Sequence, residues 1–236
     1  MISSMPKWIG DWLESAAGPR LTILRADYMT PAIKKIRFQG DISKMSFLVG
    51  GASVIRVSDT DYRNYTVASY DIKKGILEII FHIHGNGVGG RYIDTLKTGD
   101  ELYISSPRGR AAYDPKVKRY LIFGDETSLG LACSLLPFLK KNEHHFHFYF
   151  ELDEANQNAP QLLGLENFTV FPKNGLFNNE QWIKDLPVFQ VAGWQAANFV
   201  LTGNAASVQT FRKVLKNNTT GKVFAQGYWL EGKKGL

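Results

Sequence analysis

The stretch "GILEIIFHIHGNGVGGRYIDTLKTGDELYIS", residues 75–105, decides between two fold classes for the first half of the chain. It carries G-x-G-x-x-G at Gly85, Gly87 and Gly90, after a strand-like run and before a helical one, which is the pattern of a dinucleotide-binding fingerprint. The helical run has only about seven residues, however, whereas a parallel crossover needs roughly a dozen or more. The glycines therefore predict an anion-binding loop at a helix N-terminus, outside any parallel α/β unit. Taken alone, the motif fits a plain flexible loop at least as well.

The residues on either side of this stretch divide the chain into two regions. Short strand-like runs separated by Gly, Asp, Pro and Ser fill residues 20–112, which predicts an antiparallel barrel or sandwich. Beyond residue 119, strands such as YLIFG (120–124) alternate with helical runs such as SLGLACSLLPFLKK (128–141), which predicts a parallel sheet of the nucleotide-binding kind. We place the two domains at residues 1–115 and 116–236, with a short amphipathic helix at the N-terminus.

Composition limits the classes of function and partner. Lys and Arg number 28 against 22 Asp and Glu, so the net charge is +6 and suits an anionic partner. The basic residues form no long block, which argues against nucleic acid. Cys133 is the single cysteine, which excludes disulfides and thiolate-bound iron–sulfur clusters within one chain. The histidines fall in separate strands, so no protein-bound metal is predicted.

The N-terminal residues bear on cellular location. Asp11 and Glu14 interrupt their apolar residues, so they do not predict a signal peptide. No stretch approaches the roughly 20 apolar residues of a membrane span. The sequence therefore predicts a cytoplasmic protein without stable membrane insertion. We expect a monomer, although these features do not bear on the oligomeric state.

A second stretch, "DYRNYTVASYD" at residues 61–71, gives the first indication of a ligand. Residues two apart in a strand face the same way, so Arg63 and Tyr65 share one side and Thr66 points to the other. A guanidinium binds a phosphate bidentately, and a tyrosine ring offers a flat apolar face. Thr66 adds a donor for the edge of a ring, so a flavin nucleotide fits all three. The alternative is an amphipathic strand with an exposed Arg and a half-buried Tyr.

The order of these elements resembles the ferredoxin–NADP reductase superfamily and, more narrowly, the siderophore-interacting proteins, which are FAD-dependent ferric-siderophore reductases. The resemblance runs from about residue 20 to 236 and implies a Greek-key FAD-binding barrel followed by an NAD(P)H-binding α/β domain. The stretches that carry it are RNYTV (63–67), FHIHGNGVGGRY (81–92), SPRG (106–109), FGDETSLGLA (123–132), VLTGNAASVQTFRKVL (200–215) and GYWLEGKKG (227–235).

The resemblance also implies roles for single residues. Arg63 would bind the FAD phosphates, Tyr65 would stack on the isoalloxazine ring, and Thr66 would hydrogen-bond near its N5; Tyr65 and Thr66 are the catalytic candidates. Further FAD contacts are implied for Val67, His84, Gly87, Gly89, Gly90 and Arg91. The implied nicotinamide-nucleotide site consists of Gly124, Asp125, Glu126, Thr127, Thr202 and Gly203. Near the C-terminus, Tyr228 and Trp229 would lie close to the flavin, and Lys233 and Lys234 would bind the substrate.

The sequence departs from the family at three places. The family usually has Trp where this chain has Tyr92, A-G-E where it has Thr202-Gly203-Asn204, and Y-W-R where it has Tyr228-Trp229-Leu230. The missing carboxylate bears on cofactor preference, and the missing arginine bears on the substrate pocket.

The resemblance implies that electrons pass from NADPH, NADH or reduced ferredoxin through FAD to a ferric siderophore. The alternatives are another flavin reductase of the superfamily, acting on ferredoxin, flavodoxin or free flavin, and a flavin-bearing siderophore carrier without turnover.

Overall fold

The computed structural model describes residues 4–7, 18–85, 87–216 and 218–233. The chain divides into two compact units, Met1–Ala111 and Ala112–Leu236. The division therefore falls at residue 111, slightly before the boundary expected at residue 115. Most of the amphipathic helix predicted at the N-terminus falls outside the described residues.

The first unit is an antiparallel sheet of six strands curled into a nearly closed barrel. Its strand order is β3-β4-β5-β2-β1-β6, and the long connection from β2 to β3 gives it Greek-key topology. Beyond β6 the two edges meet, because the Ser105 amide donates to the Val54 carbonyl at 3.3 Å and the Val54 amide donates to Ser105 Oγ at 2.8 Å. The predicted barrel is confirmed. The strands are β1 (Arg20–Thr30), β2 (Ile33–Gln39), β3 (Ala52–Arg56), β4 (Tyr62–Asp71), β5 (Ile76–His82) and β6 (Glu101–Tyr103).

One helix, α1 (Val88–Thr95), lies between β5 and β6 and covers part of the barrel. Its Ile93 and the following Leu96 are buried among the apolar residues that β1, β2 and β5 turn inward. β6 then pairs antiparallel with β1, so strand, helix and strand do not form a parallel crossover. The glycine motif of residues 85–90 is therefore not a Rossmann fingerprint, as its short helix predicts.

The second unit is a parallel sheet of five strands in the order β11-β10-β7-β8-β9. The order reverses between β7 and β10, which makes the carboxyl ends of these two strands the topological switch point where open α/β sheets bind ligands. The predicted α/β class is confirmed. The strands are β7 (Arg119–Gly124), β8 (His145–Leu152), β9 (Phe168–Pro172), β10 (Asn198–Asn204) and β11 (Val223–Trp229). The helices are α2 (Leu129–Lys141), α3 (Ala159–Leu162), α4 (Glu180–Lys184), α5 (Pro187–Gln190) and α6 (Ala205–Leu215).

Aromatic side chains fill the core on one side of this sheet. The Phe123 ring of β7 lies 4.4 Å from Phe177 and 5.3 Å from Phe211 of α6 between ring centroids. The last five residues of β8, 148–152, are all buried, as expected for a parallel strand covered on both faces. Two short helices, α3 and α5, were not predicted; each has Pro at a first-turn position and only four residues.

Within the described part of the chain, no helix has the length and apolar character needed to cross a membrane.

Gly203 at the end of β10 gives a test of how tightly the switch point is packed. Its φ is +105°, and a Cβ added there would lie 2.6 Å from Asp125 Cγ. We expect Gly203→Ala to lower the free energy of unfolding by about 2–5 kcal/mol, because overpacking adds to left-handed strain. The control is Gly164→Ala in the same unit, where φ is +73° and the added Cβ meets open space. It should cost only about 1 kcal/mol. Urea unfolding of both variants measures the difference, and equal losses would contradict the expected crowding.

Candidate functional site

In the barrel unit, the structure brings the glycine loop against the two side chains of the R-x-Y pair. A Cβ added to Gly89 would lie 2.8 Å from Tyr65 Oη and 3.2 Å from Arg63 Cγ. Any larger residue at position 89 would push the first turn of α1 away from β4. The residue patterns alone predicted an anion-binding loop and a guanidinium–tyrosine pair separately, and in the fold the two lie side by side.

Local contacts hold the guanidinium of Arg63 in place. Its Nη1 donates to the Tyr62 carbonyl at 2.8 Å and lies 3.9 Å from a carboxylate oxygen of Asp61. The Arg63 side chain is 27% exposed, so the charge is neither buried in the core nor free in solvent. A half-covered guanidinium beside a glycine-rich turn suits a phosphate group.

Tyr65 and its neighbours form the apolar part of this site. The Tyr65 ring packs edge-on against Phe81, with centroids 4.7 Å apart. Burial raises the pKa of the Tyr65 phenol above its usual range, so its hydroxyl stays protonated and able to donate. Thr66 is buried, and Val67 belongs to the barrel core, where its amide donates to the Gly51 carbonyl at 3.1 Å. The Val67 side chain therefore belongs to the apolar core against which Tyr65 packs.

The glycine loop leads into α1 without a side-chain cap at the helix N-terminus. Gly87 is the N-cap residue and has no side chain to bond the first-turn amides, and no acidic residue lies in that turn. Gly90 packs against the backbone that follows β5, since a Cβ added to Gly90 would lie 3.3 Å from the His84 carbonyl oxygen. Arg91 is exposed, and its amide donates to Gly87 O at 3.0 Å. The amides of residues 88–90 precede this first intrahelical bond, and amides in that position are suited to an anion.

These barrel residues fit the phosphates and ring of a flavin dinucleotide. The observation that tests the fit is the close approach at Gly89, where a side chain would fill the space in front of Arg63 and Tyr65. Backbone amides and a guanidinium can bind the phosphates of such a ligand, and an aromatic ring can stack on its ring system.

In the second unit, Asp125 is the centre of the predicted nucleotide site, and the chain itself satisfies its carboxylate. Oδ1 accepts from the Thr127 amide at 2.9 Å and from the Thr127 hydroxyl. Oδ2 accepts from the Asn204 amide at 2.8 Å and from Trp229 Nε1 at 2.7 Å. The one carboxylate therefore joins the ends of β7, β10 and β11. Gly203 leaves space for the Asp125 carboxylate, since a Cβ at position 203 would lie 2.6 Å from Asp125 Cγ.

Glu126 extends the same network toward β8 and β9. Its side chain is fully buried, and it accepts from the Asp153 amide at 2.7 Å and from Lys173 Nζ at 2.6 Å. Lys173 follows β9 and also lies over the Trp229 ring, 5.3 Å from its centroid. The carboxyl ends of all five strands are thus linked by side chains. We call the set Asp125, Glu126, Lys173 and Trp229 the edge network.

The electrostatics of this edge follow from its burial. Burial raises the pKa of Asp125, although hydrogen bonds from Thr127 and Trp229 and the charge of Lys173 oppose the rise. Burial also raises the pKa of Glu151, which accepts from Ser207 Oγ at 3.1 Å. Burial lowers the pKa of Lys173, but the carboxylates of Glu126, Asp125 and Asp153 together outweigh it, so the net pKa is raised. Lys173 therefore stays a cation that neutralises part of the carboxylate charge.

The remaining predicted residues of the nucleotide site also take part in internal packing. Thr202 donates to Ser128 Oγ at 2.8 Å, and a Cβ on Gly124 would lie 2.2 Å from Ser128 Cβ. Their proposed contacts with a nicotinamide nucleotide stay a prediction, in addition to this structural role.

The C-terminal residues follow β11. Tyr228 and Trp229 are its last two residues, and Trp229 is paired with Asn204. Lys233 is exposed, and its amide donates to the Leu230 carbonyl at 3.1 Å. Lys234 lies outside the described residues.

Sequence reasoning missed two lysines that pair inside the fold, the buried Lys34 and the partly buried Lys173. Lys34 lies on the same face of β2 as Ile36 and Phe38, which are both core residues. The alternation of side chains along the strand therefore indicated that the Lys34 ammonium faces inward. Lys173 follows directly after a parallel strand, where charged residues gather at the ligand-binding edge. Neither signal identifies the partner of the lysine, because that requires knowing which strands are neighbours in the sheet.

Comparison with known proteins gives the fold first. The chain has the fold of ferredoxin–NADP reductases. It superposes with a TM-score of 0.70 on the crystal structure of a ferredoxin NADP+ reductase from Neisseria gonorrhoeae with bound FAD and NADP. The superposition covers 89% of this chain and 98% of that one, at 14% sequence identity. The crystal structure of a siderophore utilization protein from T. fusca superposes with a TM-score of 0.73 over 92% of this chain and 94% of that one, at 24% identity.

The sequence comparisons narrow the resemblance. Residues 52–111 match the family model of the siderophore-interacting FAD-binding domain, and this range includes Arg63, Tyr65 and the glycine loop. The ferric vibriobactin reductase ViuB of Vibrio cholerae serotype O1 is 25% identical over 179 residues, which cover 72% of this chain and 65% of that protein. The match thus spans less than two thirds of that relative. The resemblance to siderophore-interacting proteins is confirmed.

Lys173 gives a test of the edge network. We expect Lys173→Met to lower the free energy of unfolding by about 3–5 kcal/mol, because it leaves the buried Glu126 carboxylate without its cation. Urea unfolding at neutral pH measures this loss.

The matched control is Lys140→Met. Lys140 pairs with Glu166 at 2.7 Å, close to the 2.6 Å of Lys173 with Glu126, but both partners are about half exposed. It should cost less than about 1 kcal/mol. Similar losses for the two variants would show that burial does not decide the strength of the pair.

Proposed function

We propose that this chain is a flavoprotein oxidoreductase that binds FAD in its barrel unit and reduces Fe(III) held in a siderophore, with NADH, NADPH or reduced ferredoxin as electron donor. The observation that carries the proposal is the contact of Gly89 with Arg63 and Tyr65, inside the residues that match the siderophore-interacting FAD-binding domain. The similarity to a ferric vibriobactin reductase supports the choice of substrate class.

The barrel residues divide the work of holding the dinucleotide. Arg63 and the first-turn amides of α1 bind the pyrophosphate, since both are donors at one place. Tyr65 presents its ring to the isoalloxazine, and Thr66 donates to the ring edge near N5. Because its pKa is raised, the Tyr65 hydroxyl remains a neutral donor and brings no second negative charge near the phosphates.

Bound FAD supplies the conversion between two-electron and one-electron transfer. The protein orients the donor and the ferric chelate, and no protein general base is required. The iron leaves readily after reduction, because hard oxygen donors hold Fe(III) far more tightly than Fe(II). The net charge of +6 favours the approach of anionic chelates.

A second candidate is a reductase of the same fold that acts on another acceptor. The structural similarity to a ferredoxin NADP+ reductase favours it, because that protein shares both units with this chain. A siderophore carrier that binds flavin without turnover is the third possibility.

The three candidates give different results in one set of assays. The purified chain is titrated anaerobically with NADH, NADPH and reduced ferredoxin, and the flavin absorbance is followed. Ferric catecholate and hydroxamate chelates are then added with a ferrous-iron trap. Donor oxidation that requires the chelate supports the proposal, and oxidation only with free flavin or ferredoxin supports the second candidate. Chelate binding without electron transfer supports the carrier. A chain that takes up no FAD contradicts all three.

Arg63→Ala tests the phosphate contact. We expect FAD affinity to fall about tenfold to a hundredfold, because a charge-assisted hydrogen bond contributes roughly 1.5–3 kcal/mol. Fluorescence titration of the flavin-free chain measures it. Arg25→Ala is the control, since Arg25 lies on β1 with 71% of its side chain exposed. Wild-type affinity in Arg63→Ala would remove this assignment.

Charge reversal of Lys233 and Lys234 tests the substrate assignment. We expect the KM for an anionic ferric chelate to rise at low salt and the difference to shrink at high salt, because mobile ions screen exposed charges. Reversal of Lys73 and Lys74, two exposed residues of the barrel unit, makes the same change in net charge. If both double variants raise the KM equally, only the overall charge matters and the assignment is wrong.

A further inference from the structure

The barrel unit contains a buried cation, Lys34, at the end of α1 that lies away from the glycine loop. Lys34 is 4% exposed and shares its strand face with Ile36 and Phe38, which are fully buried. An ammonium among core residues is strongly unfavourable unless hydrogen bonds replace the lost water. Its partners therefore explain why a lysine stands there.

Lys34 donates hydrogen bonds to three backbone carbonyls at the C-terminal end of α1. Nζ donates to Ile93 O at 3.0 Å, to Asp94 O at 2.8 Å and to Leu96 O at 2.8 Å. The last carbonyls of a helix lack intrahelical partners and carry the negative end of its dipole. An ammonium has three N–H donors, so these three bonds match its capacity.

Two neighbouring groups strengthen this attachment. The Tyr28 ring of β1 lies 5.3 Å from Lys34 Nζ, and the Tyr28 hydroxyl donates to the Asp94 carboxylate. Burial raises the pKa of Tyr28 to about 12, with Asp94 adding to the rise, so the hydroxyl remains a donor at neutral pH. Burial lowers the pKa of Lys34, and the carboxylates of Asp94 and Asp100 oppose that shift. Two strands, β1 and β2, thus hold the helix end.

The other end of the same helix is the predicted phosphate site. α1 has eight residues, so its ends lie about 12 Å apart at 1.5 Å per residue. A helix of two turns moves as one body, and an anchor at its last carbonyls fixes the direction of its first-turn amides. The first turn comes close to Arg63 and Tyr65 at Gly89, where an added Cβ would lie 2.8 Å from Tyr65 Oη and 3.2 Å from Arg63 Cγ.

We propose that Lys34 is a positioning residue for the dinucleotide phosphates: through its bonds to the last carbonyls of α1, it holds the first-turn amides against Arg63 and Tyr65. Lys34 touches neither phosphate nor flavin and acts only through the helix. The inference rests on the proposed FAD site and adds to it a residue outside the ligand contacts.

The test compares Lys34→Met with Lys35→Met in the full flavin-free chain. Lys35 is the next residue on β2, faces the other side and pairs with Glu78 at 3.0 Å, so the control makes the same substitution away from α1. The probes are FAD and riboflavin, which share the ring system but differ in the phosphates. For Lys34→Met we expect the Kd for FAD to rise about tenfold, within the reach of a helix-end charge, and the Kd for riboflavin to stay within about twofold. Lys35→Met should change neither.

The outcomes separate this inference from the proposed function. A wild-type chain that binds no FAD overturns the proposed function. A wild-type chain that binds FAD while Lys34→Met binds it equally well overturns only the role of Lys34. An equal loss of FAD and riboflavin affinity also overturns it, because general loosening of the barrel does not distinguish ligands with and without phosphate.

A second variant and a second measurement cover the case in which Lys34→Met does not fold. Lys34→Gln keeps hydrogen-bond donors but removes the charge, and the same ratio of FAD to riboflavin affinity is measured. In the wild-type chain, amide hydrogen exchange is followed with and without FAD. If the two ends of α1 act together, FAD slows exchange at Gly89 and also at Leu96, whose amide donates to Ile93 O at 3.3 Å. Slowing confined to the glycine loop contradicts the proposal.

Discussion

A buried charge has to be satisfied by the chain itself, and this constraint places the backbone at both candidate sites. In the barrel unit, the Lys34 ammonium donates hydrogen bonds to three backbone carbonyls at the C-terminal end of α1. In the second unit, the Asp125 carboxylate binds donors from the ends of three strands. Both groups lose solvation on folding, so a displaced partner leaves a charge unsatisfied at a cost of several kcal/mol. At each candidate site, a polar side chain therefore ties together backbone segments that are distant in sequence.

This constraint also explains the glycines that sequence motifs single out. Gly89 and Gly203 are usually read as ligand-contacting residues, and each lies where a side chain would meet a charged or polar group of the chain itself. At position 203 that group is the Asp125 carboxylate, and at position 89 it is the Tyr65 hydroxyl with the Arg63 stem. Binding and packing thus require the same residue type, so a glycine motif alone does not distinguish a ligand site from a close approach of backbone.

The sequence predicted strand and helix positions well because both periodicities are clear in it. The barrel strands lie within residues 20–112, where short strand-like runs predicted them, and β7 and α2 lie where YLIFG and SLGLACSLLPFLKK predicted a strand and a helix. The short α1 does not connect parallel strands, as its length predicted. The sequence pattern did not predict contacts between elements that are distant in sequence. Lys173 meets Glu126 only because β9 and β7 flank β8, and Lys34 meets α1 only because β2 lies beside β5. Pairing of this kind depends on topology, which local pattern does not contain.

The edge network bears on how the second unit receives an electron donor. In open α/β sheets a dinucleotide binds at the carboxyl ends of the strands that flank the switch point. Here Asp125 follows one of these strands and bonds Trp229 across the other, so the chain's own groups occupy the polar positions at that edge. A nucleotide that binds there gains affinity only from donors and acceptors left beside the network, or by replacing bonds that already stabilise the fold. We therefore expect the residues around the edge network, and not the four residues within it, to set any preference for a nucleotide electron donor.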